Sequence, residues 1–97
     1  MAYALKWSPR AASGFEDICN FIAKDSRRYA TIFANKVNAL VKSIPELPEA
    51  GRIVPEYAEV SIRERILGNY RIVYRIRGQT VEIVAICHGA KPLDSIM

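Results

Sequence analysis

Two cysteines and a single histidine are all the thiol and imidazole groups that 97 residues offer. Cys19 and Cys87 lack the spacing of a zinc site or a redox pair, and each lies among apolar residues. They read as two buried thiols in a reducing cytoplasm rather than a disulfide. No cofactor and no metal ion are expected. No stretch approaches the ~20 apolar residues needed to cross a bilayer, and no charged leader precedes an apolar run at the N-terminus. A cytoplasmic location without membrane contact is therefore expected. Repeats and low-complexity tracts are missing too, which argues against a solenoid or a disordered chain.

What is present is the material of one small core. Hydrophobic residues make up 51% of the chain and charged residues 25%, and the length suits a single domain spanning residues 1–97. Fourteen Lys plus Arg against ten Asp plus Glu leave a net charge of +4. That excess permits attraction to nucleic acid or to an acidic protein, so the placement of the charges matters more than their sum.

Tyr3, Leu5 and Trp7 alternate with Ala4 and Lys6, the period of a short strand with one buried face. Ser8-Pro9 then predicts a helix start, with Ser as cap and Pro in the first turn. Ala11, Ala12, Phe15, Ile18, Cys19 and Ile22 recur at helical steps. Gly14 weakens that helix by up to about 1 kcal/mol relative to Ala, and close packing would account for it. Asp25-Ser26 opens a second helix with the stripe Tyr29, Ile32, Phe33, Val37, Leu40, Val41 and Ile44, ended by Pro45. So short a link predicts an antiparallel helical hairpin. A turn-rich loop over 45–52 leads to three strands over 60–67, 70–77 and 80–88, separated by Gly68-Asn69 and Gly78-Gln79. The fold class is α+β: a strand, a helical hairpin, then a three-stranded antiparallel meander, with the helices on one face of the sheet.

Register decides which charges share a face. Pairing Arg77 with Thr80 sets Ile76, Tyr74, Ile72 and Tyr70 opposite Val81, Ile83, Ala85 and Cys87, a core face. The reverse face then pairs Arg75 with Glu82, Val73 with Val84, and Arg71 with Ile86. For the preceding turn, a three-residue loop of Leu67, Gly68 and left-handed Asn69 sets Ile66 by Tyr70 and Ile62 by Tyr74. This register gathers Arg63, Arg65, Arg71 and Arg75 on the helix-free face, with His88 nearby, and leaves Glu64 on the core side. Two readings of that face stay open. Either Arg75 and Glu82 form a cross-strand pair and the rest is solvated, or guanidinium groups collect beside the one histidine to meet phosphate or an acidic peptide.

The Trp7-Ser8-Pro9 start, the loop from Pro48 to Gly51-Arg52, Arg63-Glu64, the run Tyr70-Arg71-Ile72-Val73-Tyr74-Arg75 and the ending His88-Gly89 together resemble the RelE/ParE superfamily over nearly the whole chain. The resemblance implies the toxin of a bacterial type II toxin-antitoxin pair, which inhibits growth, stabilises plasmids and is held inactive by a cognate antitoxin. It also supplies an occupant for the mixed face. Arg63, Arg65, Arg71, Val73, Arg75, Val84, Ile86 and Lys91 would bind an extended, acidic antitoxin segment.

RelE-like members cleave messenger RNA on the ribosome, whereas ParE-like members act on DNA gyrase. RNA cleavage needs a base, an acid and cations for the phosphorane charge. In that reading Arg71 and Arg65 would stabilise phosphate, His88 would move protons, and Glu56 resembles the glutamate base of some nuclease members. The lysine-rich strand of RelE is replaced by Glu59, Val60, Ser61 and Ile62, and its terminal tyrosine is missing. The loop 48–56 and the ending from His88 to Leu93 are closer to ParE, with Lys91 where that branch often carries arginine. The ParE-like reading is preferred. A third class, a non-toxic partner of a DNA-binding antitoxin, stays open. DNA would be reached only through that antitoxin, since Arg27, Arg28, Lys36 and Lys42 are spaced as an ordinary solvated helix surface.

Overall fold

The computed structural model describes residues 3–91 and Leu93. Strand β1 (Ala4–Trp7) leads into helices α1 (Pro9–Ala23) and α2 (Arg27–Ser43). Both helix starts are set by serine. The Ser8 hydroxyl accepts from the Ala11 N–H and the Ser26 hydroxyl from the Tyr29 N–H, each at 3.0 Å. After two single 3₁₀ turns at Ile44–Glu46 and Pro48–Ala50 come β2 (Arg52–Ile53), β3 (Ile62–Leu67), β4 (Tyr70–Arg77) and β5 (Thr80–His88). The sheet runs β1-β5-β4-β3-β2. The predicted meander is there, but the sheet is mixed, because β1 returns to pair parallel with β5. The predicted loop also contributes a short edge strand, β2.

The helical stripe of α2 differs in detail from expectation. Ala30, Phe33, Val37, Val41 and Ile44 are buried, while Tyr29 and Ile32 are exposed. The buried set keeps steps of three and four, so Ala30 takes the place assigned to Tyr29. Ala12 of α1 is exposed as well. Gly14 does pack closely: a Cβ there would stand 2.7 Å from the Ile86 carbonyl oxygen.

Two registers change. At β3–β4 the turn is two residues long, with Leu67 paired to Tyr70 and Arg65 to Ile72. Gly68, at φ 59°, supplies the left-handed backbone that was expected of Asn69. At β4–β5 the expected pairs hold from Arg77–Thr80 to Tyr74–Ile83. A shift between Val73 and Tyr74 then inserts Val84 as an extra residue, so Ile72 meets Ile86 and Tyr70 meets His88. The Ser8 hydroxyl donates to the Val84 carbonyl oxygen at 3.2 Å, so the residue that caps α1 also satisfies the bulge.

The sheet carries a core on each side. Towards the helices, Ile72, Tyr74, Val81, Ile83 and Ile86 pack with Ala11, Phe33, Val37, Val41 and Ile44. The other face is also closed. Val73, Val84, Ala85 and Ile62 are buried beneath Val54 and Leu93, with Tyr57 and Cys87 half-buried beside them. Val54 and Tyr57 of the segment 54–61, together with Leu93, cover the face that was expected to be mixed and open to a partner. Both cysteines are free, and burial pushes both thiols up from their ordinary value. No helix among the described residues is long and apolar enough to cross a membrane.

Candidate functional site

The changed registers divide the expected arginine row between the two faces. Alternation along β3 places Arg63 and Arg65 with Tyr74 and Ile72 on the helix side, while Glu64 turns to the face of Arg71, Val73 and Arg75. β3 can carry arginine there because Arg63 is satisfied locally. Its guanidinium donates to the carbonyl oxygens of Val60, Glu49 and Gly51 at 2.9–3.0 Å, holding the loop that precedes β2. The same loop is hooked from the core by Tyr74. Its hydroxyl donates to the Pro48 carbonyl oxygen and accepts the Gly51 N–H.

On the helix-free face the charges form a chain of alternating sign. Arg71 is only 5% exposed. Its Nε donates to Glu64 at 2.6 Å, while its Nη1 and Nη2 reach the two oxygens of Glu56 at 2.7 and 2.9 Å. Glu64, equally buried, also accepts from Arg52 Nε. The four groups cancel in charge, and the bidentate fork is the strong geometry for a guanidinium and a carboxylate. Hydrogen bonding from Arg71 lowers the Glu56 pKa to about 2, and the same bond raises that of Arg71 against the opposing effect of burial. Further along, Arg75 Nη2 meets Glu82 at 3.3 Å, the cross-strand pair that the sequence led us to expect.

His88 lies elsewhere. It pairs with Tyr70, on the helix side, while Arg71 pairs with Cys87. The exposed imidazole meets the Tyr70 ring edge-on with centroids 5.6 Å apart, and its Nδ1 accepts the Ala90 N–H at 3.2 Å. Tyr70 in turn contacts Phe33, Phe33 contacts Phe15, and Phe15 contacts Trp7, so His88 ends a run of aromatic rings.

The structure therefore brings Arg71 and Glu56 together and separates both from His88 and Arg65. Of the expected partner surface, Val73, Val84 and Ile86 are buried, and Ile86 faces the helices. Arg63, Arg65 and Arg75 are half-buried and Lys91 is exposed. Pro92 lies outside the described residues. Glu64 and Arg52 were missed as members of the site. The signal for Glu64 was a carboxylate stranded on the core side by the expected register. No group of His, Cys, Asp and Glu among the described residues is arranged to hold a metal ion.

The arrangement can be compared with known proteins. A chromosomal ParDE toxin-antitoxin system of P. aeruginosa contains a chain that superposes with a TM-score of 0.74 at 19% identity, covering 90% of this chain and 96% of that one. An E. coli RelE toxin with two arginines replaced by alanine, in its free state, gives 0.65 at 17% identity, covering 93% and 86%. The RelBE2 toxin-antitoxin complex of Mycobacterium tuberculosis gives 0.59 at 19% identity, covering 91% and 99%. These likenesses establish the shared fold. No curated protein sequence matches significantly. The family model for the ParE toxin of the type II toxin-antitoxin system parDE matches residues 5–93. The chain belongs to the ParE toxin family, within the RelE/ParE superfamily of type II toxin-antitoxin toxins.

Proposed function

We propose that this toxin arrests growth through DNA gyrase and is silenced by a cognate, acidic antitoxin. Gyrase is the target that the ParE-like sequence features imply. The observation that favours it over ribosome-dependent RNA cleavage is the pairing of Arg71 with Glu56. A carboxylate held near pKa 2 is a poor base at neutral pH. Each of the three Arg71 guanidine nitrogens already donates to a carboxylate. His88, the candidate proton carrier, faces the opposite side of the sheet. A nuclease needs base, acid and cation around one phosphate, and these three groups do not surround one.

The antitoxin is expected to be acidic because its target carries a net charge of +4. Lys91 and His88, both exposed, and Arg65, half-buried, are the expected site residues best placed to meet a partner or target.

Expression without the partner tests the reading. Growth arrest with gyrase-linked DNA breaks, and with no codon-positioned cuts in ribosome-bound messenger RNA, is the expected result. Cuts at codon positions would overturn it in favour of the nuclease, and harmless expression would favour a binding-only role.

A further inference from the structure

Arg71 is gripped from two sides of unequal strength. On the inner side Glu64 is fully buried on β3, between β4 and the short edge strand β2, and is itself held by Arg52. On the outer side Glu56 comes from the segment 54–61, and its side chain is 37% exposed. That segment is anchored by buried Val54 and half-buried Tyr57, while Pro55, Ala58, Glu59 and Val60 are exposed. Glu56 therefore closes the outer edge of Arg71 through its own exposed side chain, whereas Val54 and Tyr57 hold its segment to the sheet.

The geometry points to an anion site at the outer edge of Arg71, filled in the isolated chain by Glu56 and open to a carboxylate supplied by an acidic partner segment. Nη1 and Nη2 present two N–H groups side by side, spaced for a carboxylate. Nε, fixed by Glu64, holds the guanidinium in that orientation, so a ligand finds it preorganised. A phosphate dianion would bring more charge beside Glu64, which already faces the same guanidinium, and half-buried Tyr57, in the same segment as Glu56, suits a peptide. Arg52, 64% exposed in its side chain, adds a second positive charge at the rim.

The identity of the partner rests on the toxin-antitoxin reading above; the site itself does not. Glu56 acts as a tethered competitor. Displacing a partly exposed ion pair of this kind weakens a partner's affinity by about threefold to fivefold.

Two experiments separate the site from its occupant. In the first, Glu56→Ala is melted with sodium acetate, and with sodium chloride or sodium phosphate at equal ionic strength. The expected result is a saturable rise in Tm with acetate that the unsubstituted chain lacks. An equal rise with chloride, or a rise with phosphate alone, overturns the carboxylate site. In the second, the co-encoded antitoxin is titrated onto the full chain and onto Glu56→Gln, which keeps the side-chain volume. Tightening by about threefold to fivefold supports the competitor role, and unchanged or weaker binding overturns it. Failure of the unsubstituted chain to bind any antitoxin would refute the functional reading, while the acetate experiment would still decide the site.

Discussion

Replacing Tyr74 by Phe removes one oxygen from the interior and leaves two backbone groups without a partner. The ring is fully buried and its apolar contacts survive the change. The hydroxyl alone joins the Pro48 carbonyl oxygen and the Gly51 N–H, both on buried residues. Each lost hydrogen bond is worth about 1 kcal/mol net, and a buried group left unsatisfied costs about 1–3 kcal/mol. Counting both groups, and allowing some relaxation of the 3₁₀ turn, the expected loss is about 3 kcal/mol. At 4–8 °C per kcal/mol for a domain of this size, Tm falls by about 12–24 °C. Urea titration at neutral pH, followed by far-UV circular dichroism, should show a lower midpoint with an unchanged slope. Tyr29→Phe, on a ring that is 60% exposed, serves as control and should shift stability by less than about 0.5 kcal/mol. A Tyr74→Phe loss below about 1 kcal/mol would refute the reasoning, because the loop would then satisfy its own backbone.

Three further outcomes follow from the same structure. Gly14→Ala should destabilise by about 1–2 kcal/mol in urea titration: the gain in helix propensity of about 1 kcal/mol is outweighed by a Cβ pressed against the Ile86 carbonyl oxygen. In the ion network, Glu64→Gln should cost about 2–3 kcal/mol, since a neutral amide replaces the buried carboxylate that bonds both Arg71 and Arg52, while Arg71 keeps Glu56. Glu56→Gln, at the exposed end, should cost about 1 kcal/mol, and a double-mutant cycle with Arg52→Ala should show coupling for Glu64 and little for Glu56. Acid titration tests the sign of the Glu56 shift. Its folded pKa of about 2 lies below the ordinary value of 4.5. The stabilisation is therefore complete above about pH 5 and is lost as pH falls from 4.5 towards 2. Solvent screening at a side chain 37% exposed limits it to about 1 kcal/mol. Glu56→Gln should flatten that part of the pH–stability curve, and an unchanged curve would remove Glu56 as its source.

What could be read without coordinates was local, and what failed depended on distant partners. Ser8 and Ser26 were legible as caps because each bonds an amide three residues on. The order of elements was legible because periods of two and 3.6 are properties of short windows. The bulge at Val84 was not, since the hydroxyl that satisfies it belongs to Ser8, 76 residues away in sequence. Nor was the closure of the helix-free face, which takes Val54 from one end of a loop and Leu93 from beyond the last strand. The β3–β4 register is the instructive failure. Keeping Arg65 away from Ile72 seemed to require a three-residue turn, at the expense of a carboxylate, Glu64, on the core side. These two costs differ in size. An arginine on a strand near the sheet edge can reach carbonyl oxygens or water with its long stem, as Arg63 does. A short carboxylate in an apolar core can reach nothing and costs several kcal/mol. Weighing them sets Glu64 against Arg71, demands the two-residue turn at Gly68-Asn69, and splits the arginine row. In this domain the buried acid was a better guide to register than the turn or the basic residues, and it leads directly to Arg71, the cation it holds from the inner side.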